Sequence, residues 1–536
     1  MPRRLPAAVA ALMLLGTAWL VARPLSATSQ EPADAPRRPN IVVILADDMG
    51  YSDIGPYGSE VRTPTLDALA REGVRFRQFY DNAKCSPTRA SLLTGLYPHE
   101  AGMGELANGT PGPAGPYQGY LPASSVTVAE VLRGAGYRTY FSGKWHVGDL
   151  PAHWPHARGF DRAFGLISGA TSFFELLKEP GRSRQMVLED RLWEPSSPEY
   201  YATDAYTDYA VDRIREHGRE RRAQPFLLYL AYTAPHFPLH AREEDIARYA
   251  KTYEAGWDAI RAARHARMRD LGVIDARHPL LARPERVPAW DDAPRRDEWA
   301  RLMAVYAAMV DRMDQGIGRV MQALRDGGMD DDTLVLFLSD NGATMEAVAG
   351  RGLNDPSVPI GARGSYVAYL EPWAHVSNTP FRLYKDWVHE GGIRTPMIAR
   401  WPRGIARPGR FSDHVGHVID VMPTVVELAG ATYPRARDGV DVTPMRGRSL
   451  ASALRDLSAT RPEPLYWAYG GNWAIRDGDW KLVRDGKRAG PAELYDMAAD
   501  PVETRDLAGT HPDRAAAMER QWRAWATRVG AREATK

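Results

Sequence analysis

The sequence predicts an α/β fold: a mainly parallel sheet flanked by helices, followed by a smaller C-terminal antiparallel sheet plus a helix. Three observations carry this. Unbroken apolar runs rich in β-branched residues stop abruptly at polar clusters, as strands covered on both faces do. Stretches with apolar residues at steps of three and four lie between them, and such alternation implies right-handed crossovers and parallel strands. Past about residue 430 the grammar changes to short alternating runs broken by Asp-Gly, which reads as an antiparallel meander.

The 536-residue chain opens with Arg3 and Arg4, an apolar stretch from Ala7 to Val21, then Pro24 and small residues up to Ser29. This fits an export signal over residues 1–29. The stretch is short for a membrane span, although an uncleaved anchor is an alternative reading. No cysteine follows it, which argues against lipid anchoring. Residues 30–38, rich in Pro, Ala and charge, read as a linker. A location outside the cytoplasm, periplasmic or secreted, is the expectation.

The first strand is Asn40–Ala46, ending in Asp47-Asp48-Met49-Gly50. Next comes Cys85-Ser-Pro87-Thr-Arg89-Ala-Ser-Leu-Leu-Thr-Gly95-Leu-Tyr-Pro98, read as a helix opening near Pro87 and closed by Gly95 and Pro98. Cys85 then sits at a helix N-terminus with Arg89 able to turn back towards it, a setting that favours negative charge. Tyr137–Phe141 is a weaker strand ending in Ser-Gly-Lys144-Trp-His146, and Pro225–Tyr232 a strong one ending in Thr-Ala-Pro-His236. Arg213 to Arg222 is basic but contains Glu216 and Glu220, which suits a solvated helix face. Residues 253–299, rich in Arg and Pro, read as an irregular insert near the pocket mouth.

The clearest helix carries Leu302, Tyr306, Met309, Met313, Ile317, Val320 and Leu324 on one face. It feeds a strand over Thr333–Ser339 that ends in Asp340-Asn341-Gly342. Asn378 to Gly392 brings Lys385 close to a glycine pair, where backbone can approach a ligand. After an apolar helix-like stretch from His417 to Ala429, Leu465–Tyr469, Trp473–Arg476 and Trp480–Arg484 form the meander, and Pro512 starts a last helix with Met518, Trp522, Trp525 and Val529 on one face. The expected division is a large α/β domain over 38–435 and a C-terminal α+β subdomain over 436–536.

Sheets of this kind bind ligands beyond the carboxyl ends of their strands. Asp47, Asp48, Lys144, His146, His236, Asp340 and Asn341 all fall at that edge. A single Asp after a strand is more often a turn or cap, and a single His more often structural. Two strand ends of the same form, apolar run, Asp, Asp or Asn, then Gly, shift that balance. Asp47, Asp48, Asp340 and Asn341 offer hard oxygen ligands, suited to Ca²⁺ or Mg²⁺ rather than zinc. Converging carboxylates repel, so a cation is called for.

Cys85 is the only cysteine, so an exported chain has no internal disulfide to form with it. Lys plus Arg (68) nearly equals Asp plus Glu (67), and no global field draws the chain to nucleic acid.

The run Cys85-Ser-Pro87-Thr-Arg89 with Ala-Ser-Leu-Leu-Thr-Gly-Leu-Tyr-Pro resembles the signature of the type I, formylglycine-dependent sulfatases of the alkaline phosphatase superfamily. The resemblance extends over nearly the whole chain after the signal, including Ala46 to Asp53, Gly143 to His146, Ala234 to His236 and Asn378 to Gly392. It is closest to bacterial arylsulfatases, which carry segments similar to Tyr253-Glu-Ala-Gly-Trp257 and Arg286-Val-Pro-Ala-Trp290.

The resemblance implies an alkaline phosphatase-like fold and hydrolysis of sulfate monoesters to an alcohol or phenol and inorganic sulfate. It implies a maturation enzyme that oxidises Cys85 to formylglycine, and metal ligands Asp47, Asp48, Asp340, Asn341 and modified residue 85, with calcium the expected ion before Mg²⁺ or Mn²⁺. Arg89 and Lys144 would hold the formylglycine, Lys385 and His236 the sulfate, and His146 one hydroxyl of the aldehyde hydrate. One hydroxyl, activated by metal and Asp340, would attack sulfur, with His236 or Lys385 protonating the leaving oxygen. Deprotonation of the second hydroxyl by His146 would release sulfate. Competing readings are a phosphonate monoester or phosphodiester hydrolase of the same superfamily, a carbohydrate sulfatase, and a secreted thiol-bearing binding protein.

Overall fold

The computed structural model describes residues 38–179, 184–405, 407–488 and 490–533, so the export segment of residues 1–29 lies outside the described residues. The main sheet has ten strands: β1 (Asn40–Ala46), β2 (Val74–Tyr80), β3 (Arg138–Lys144), β4 (Arg162–Leu166), β5 (Met186–Leu188), β6 (Arg191–Trp193), β7 (Phe226–Ala231), β8 (Thr333–Ser339), β9 (Arg394–Arg400) and β10 (Arg410–His417). Their order is β10-β2-β9-β8-β1-β7-β3-β4-β5-β6. From β8 to β4 every pairing is parallel. Antiparallel pairing is confined to β9, which runs against both its neighbours, and to β5 and β6.

The apolar run of β1 has a simple cause. Val42, Ile44 and Ala46 enter one hydrophobic core and Ile41, Val43 and Leu45 the other, so both faces of the strand are covered. Helices Ala202–Glu220 and Arg296–Asp326 cover the first face. Helices Cys85–Thr94, Val128–Gly134 and Val421–Leu428 cover the second. All seven apolar positions expected on one face of the long helix are buried.

Three local expectations need correction. The weak strand after Tyr137 runs on to Lys144, because Gly143 at φ 120 lies so close to β7 that a Cβ there would stand 1.8 Å from the Ala231 carbonyl oxygen. The Cys85 helix begins at Cys85, with Pro87 inside its first turn, where a missing N–H costs no helical bond; Gly95 at φ 71 ends it. The 253–299 insert is not largely irregular. It contains a helix at Gly256–Asp270 that buries Trp257, Ile260, Arg264 and Met268 on one face, a stripe its arginine content hides. Trp257 meets Trp290, Trp299 and Trp373 edge-on at 4.7, 5.6 and 5.8 Å. Trp373 is thereby fully buried and acts in packing.

The C-terminal strands Leu465–Tyr469, Asn472–Asp477, Trp480–Arg484 and Glu493–Asp496 pair antiparallel in sequence order. Helix Pro512–Val529 lays Trp522 and Trp525 on them, with Trp522 stacked 4.5 Å from Trp473. Among the described residues no helix is long and apolar enough to cross a membrane.

Candidate active site

β8, β1, β7 and β3 are neighbours, and their register aligns their carboxyl ends. Ala46 lies opposite Ser339, while Leu45 and Gly143 both lie opposite Ala231. The chains therefore leave the sheet at one level. Asp47 and Asp48, Asp340 and Asn341, His236, and Lys144 and His146 are brought together and buried there. Backbone bonds pin the exits, with Asp47 N–H donating to Ala234 O (3.0 Å) and Asp340 N–H to Ala46 O (3.1 Å). Asp48 (φ 63) and His146 (φ 57) occupy the left-handed region, a conformation that costs energy in a non-glycine residue and is common where side chains are aimed at a site.

Three carboxylates face three cations. Lys144 Nζ donates to Asp47 Oδ2 at 2.6 Å, and Lys385 Nζ reaches Asp48 Oδ1 and Oδ2 at 2.7 and 2.9 Å. Arg89 commits Nε and Nη2 to Asp340 Oδ2 (3.0 and 2.7 Å) and Nη1 to the Lys144 carbonyl (2.8 Å). The sequence reading turns Arg89 towards residue 85; its hydrogen bonds go to Asp340 and the Lys144 backbone. Asn341 Nδ2 donates to Asp48 Oδ1 at 2.7 Å.

The matched charges leave acceptors over. Asp47 Oδ1 and Asn341 Oδ1 are buried without a hydrogen-bond partner, an expensive state for a polar atom. Burial, and next the Asp340 carboxylate, push Asp47 up to about 8. Oxygen-rich donors, orphaned acceptors and mutual repulsion together fit a divalent cation held by Asp47, Asp48, Asp340 and Asn341. Ligand atoms of Asp47, Asp48 and His236 lie within 4.8 Å of one another, so His236 also stands at this centre, with Nε2 3.5 Å from Asp48 Oδ2.

Cys85 is the first residue of its helix, and its Sγ lies 3.3 Å from His146 Nδ1. His146 Nε2 is 3.1 Å from Ala107 O. A carbonyl can only accept, so Nε2 carries the proton and Nδ1 faces residue 85 as an acceptor. Burial, then Lys144 and Arg89, hold His146 well below its ordinary value, and it is neutral. Burial with Lys385 and Lys144 does the same to His236. Burial pushes the Cys85 thiol up. It is a neutral thiol rather than an activated thiolate, which counts against the thiol-bearing binding protein. Lys385 would be lowered by burial, but Asp48 and Glu346 outweigh this and hold it well above its usual range.

Several residues at the site are given no role by the sequence reading. Ser86 Oγ donates to the His146 carbonyl at 2.8 Å and accepts from Ala107 N–H at 3.2 Å. Lys84 pairs with Asp386 (2.5 Å) and Glu346 (3.2 Å). Asp53 accepts from Gly50 N–H (2.9 Å), Arg264 (2.5 Å) and Tyr306 (2.6 Å), steadying the turn after Asp48. Gly391 and Gly392 pack closely against their own segment: a Cβ on them would stand 2.2 Å from Leu383 O and 1.9 Å from Trp387 O.

Comparison with known proteins bears on the family and the fold. The Sulfatase family model matches residues 39–431, and the model described as N-sulphoglucosamine sulphohydrolase, C-terminal, matches residues 381–524. The chain is 37% identical to an arylsulfatase of Klebsiella aerogenes over 77% of this chain and 92% of the relative. It is 30% identical to an N-acetylgalactosamine-6-sulfatase of Canis lupus familiaris over 85% of this chain and 77% of the relative. The crystal structure of Ps i-CgsB superposes with a TM-score of 0.68 at 26% identity, covering 91% of this chain and 93% of that one; the same protein has been solved in complex with k-i-k-neocarrahexaose. The alkaline phosphatase-like fold and the site together define a hydrolase of sulfate esters. The chain belongs to the sulfatase family.

Proposed function

We propose that this sulfatase is exported, that Cys85 is oxidised to formylglycine by a maturation enzyme reading Cys85, Pro87 and Arg89, and that it then hydrolyses aryl sulfates. The observation that carries the reading is residue 85 at the start of a buried helix, within reach of a neutral His146 acceptor and beside three carboxylates and three cations. Ca²⁺ bound by Asp47, Asp48, Asp340 and Asn341 would supply Lewis acidity and offset the charge of the sulfate. A hydrated formylglycine supplies two hydroxyls on one carbon, one to attack sulfur and one whose deprotonation releases sulfate.

The chain's own groups do the rest. Lys144 and Arg89 fix Asp47 and Asp340. Lys385, whose proton is held tightly, serves as a fixed positive charge for sulfate oxygens. His146 Nδ1 is the acceptor for a proton from residue 85. His236 Nδ1 lies against Phe237 O at 2.5 Å, which leaves Nε2, 3.5 Å from Asp48 Oδ2, as the ring nitrogen turned towards the carboxylate cluster. The aryl preference is supported by the Klebsiella relative and by the Phe237 ring, tilted 36° to His236 with ring centres 4.1 Å apart and with Lys385 Nζ 6.0 Å from its centre. The division at 435/436 belongs to the same reading, with the four-stranded sheet closed by its own helix.

A carbohydrate sulfate is the second reading, favoured by the galactosamine-sulfatase relative and the neocarrahexaose-binding neighbour. The mass of the peptide spanning residue 85 in exported enzyme is expected about 18 Da below the thiol form. Aryl sulfate is expected to be cleaved in preference to aryl phosphate, aryl phosphonate and sulfated saccharides. An unmodified thiol in active enzyme overturns the mechanism, and a preference for phosphorus or saccharide sulfate overturns the substrate.

A further inference from the structure

Away from the catalytic centre, the insert helix Gly256–Asp270 and helix Leu370–Ser377 enclose a cavity of about 200 Å³ lined by Trp257, Asp258, Arg261, Arg283, Pro372 and His375, among others. Arg261 is 5% exposed, yet its guanidinium makes one hydrogen bond, Nη1 to Leu281 O at 2.5 Å. Its Nε and Nη2 are buried without partners. His375, 6% exposed, also turns an unpartnered Nε2 inward. The nearby carboxylate is committed elsewhere: Asp258 Oδ1 takes Arg283 Nη1 at 2.7 Å and Oδ2 takes Trp290 N–H at 3.0 Å.

A guanidinium keeps its charge at neutral pH under almost any burial. Here burial lowers Arg261 only to about 10. Tyr384 and Asp258 offset part of that burial, but neither bonds the guanidinium, and a buried charge with two idle donors is costly. Nη2 and Nε form one edge of the guanidinium fork, the edge that grips two oxygens of an oxyanion. The space exceeds the roughly 30 Å³ a single water takes up. We propose that this cavity is a binding site for a small oxyanion, gripped by Arg261 Nε and Nη2 with His375 Nε2 alongside, separate from the catalytic centre. Free inorganic sulfate and the carboxylate of a small organic acid share the required chemistry.

The site has a route to the active centre. Helix Leu370–Ser377 ends against the turn that follows the metal ligands: Ser377 O accepts from Ser52 N–H at 3.0 Å, and a Cβ on Gly50 would stand 2.4 Å from that oxygen. An anion tying Arg261 to His375 would brace that helix.

Full-length enzyme is compared with Arg261→Met in chloride buffer, then in inorganic sulfate or acetate at matched ionic strength. Sulfate also meets the catalytic centre, so the variant supplies the difference. In wild type a sulfate-dependent rise in Tm is expected, of which about 2 °C disappears in Arg261→Met. In chloride the variant is expected to be as stable as wild type, since it loses a buried unpaired charge. A matching response to acetate identifies carboxylates as ligands; a response to sulfate alone restricts the site to tetrahedral anions. Crystals of wild type soaked in selenate provide a readout that does not depend on the variant folding, with an anomalous peak expected against Arg261 Nε and Nη2. An equal sulfate response in both proteins, or selenate at the catalytic centre alone, overturns the proposal.

Discussion

Two clusters of buried charge sit about the main sheet, and they are built on opposite terms. At the seam between β9 and the C-terminal sheet, Glu390 has both oxygens engaged: Oε1 by Lys481 at 2.8 Å, Oε2 by Tyr80 at 2.9 Å and Arg394 at 3.0 Å. Lys481 also meets Glu503 at 2.7 Å. Burial alone would raise Glu390, but Lys481, Arg394 and Arg476 outweigh it and bring it to about 2. At the strand ends the same residue types leave Asp47 Oδ1 and Asn341 Oδ1 unpaired, and Asp47 rises to about 8. A buried charge cluster that satisfies Glu390 holds two sheets together, whereas one with acceptors left over fits the proposed cation and substrate.

The largest effect that would break this contrast is at residue 85. Cys85→Ser offers one hydroxyl where the proposed aldehyde hydrate offers two, so kcat/KM on an aryl sulfate is expected to fall at least about 10⁴-fold while Tm stays near wild type. Cys85 lies in the core, and the change is small. A large fall in Tm would mean that this cluster supports the fold as the seam does.

Lys481→Met is the converse test. It leaves Glu390 and Glu503 buried beside one another with a cation removed, and a loss of about 3–5 kcal/mol in denaturant unfolding is expected. The folded fraction should keep its kcat. If activity per folded molecule fell in step, the seam would be acting on the site and the division between the clusters would fail.

Acid sharpens the contrast further. The value of Glu390 is held below its ordinary 4.5, so its contribution is present in full above about pH 4.5 and is lost as pH falls towards about 2. The amount is on the order of 3 kcal/mol. The decline in Tm over that window is expected to be shallower in Glu390→Gln than in wild type, with the two curves converging at the acid end.

The two clusters were not equally legible beforehand. The strand ends that converge at the candidate site could be read, because a doubly covered strand writes an unbroken apolar run and a parallel sheet aligns the ends of such runs. β1 and β8 match the expected limits, Asn40–Ala46 and Thr333–Ser339. The seam could not be read: Glu390 and Lys481 lie 91 residues apart and meet only because β9 and the C-terminal sheet pack together. Arg264 on Asp53 is hidden for the same reason, across 211 residues. The insert helix was obscured by Arg261, Arg264 and Arg267, residues usually exposed, two of which are buried here.

Ser86 tests the smallest part of the contrast, the positioning of one side chain inside the active cluster. Its hydroxyl donates to the His146 carbonyl and also takes the Ala107 N–H. Ala107 O in turn meets His146 Nε2. One hydroxyl thus ties the backbone of His146, held at φ 57, to the residue that sets its tautomer. Ser86→Ala removes both ties without altering charge or opening more than a small void. Stability is expected to fall by about 1 kcal/mol, and kcat about tenfold with little change in KM, because the loss concerns orientation of the proton acceptor rather than sulfate binding. Ser86→Thr keeps the hydroxyl and should recover most of the rate. A variant that loses stability but keeps kcat would show that His146 is aimed by its own backbone conformation, and that Ser86 belongs with the satisfied, structural kind of buried polar group found at the seam.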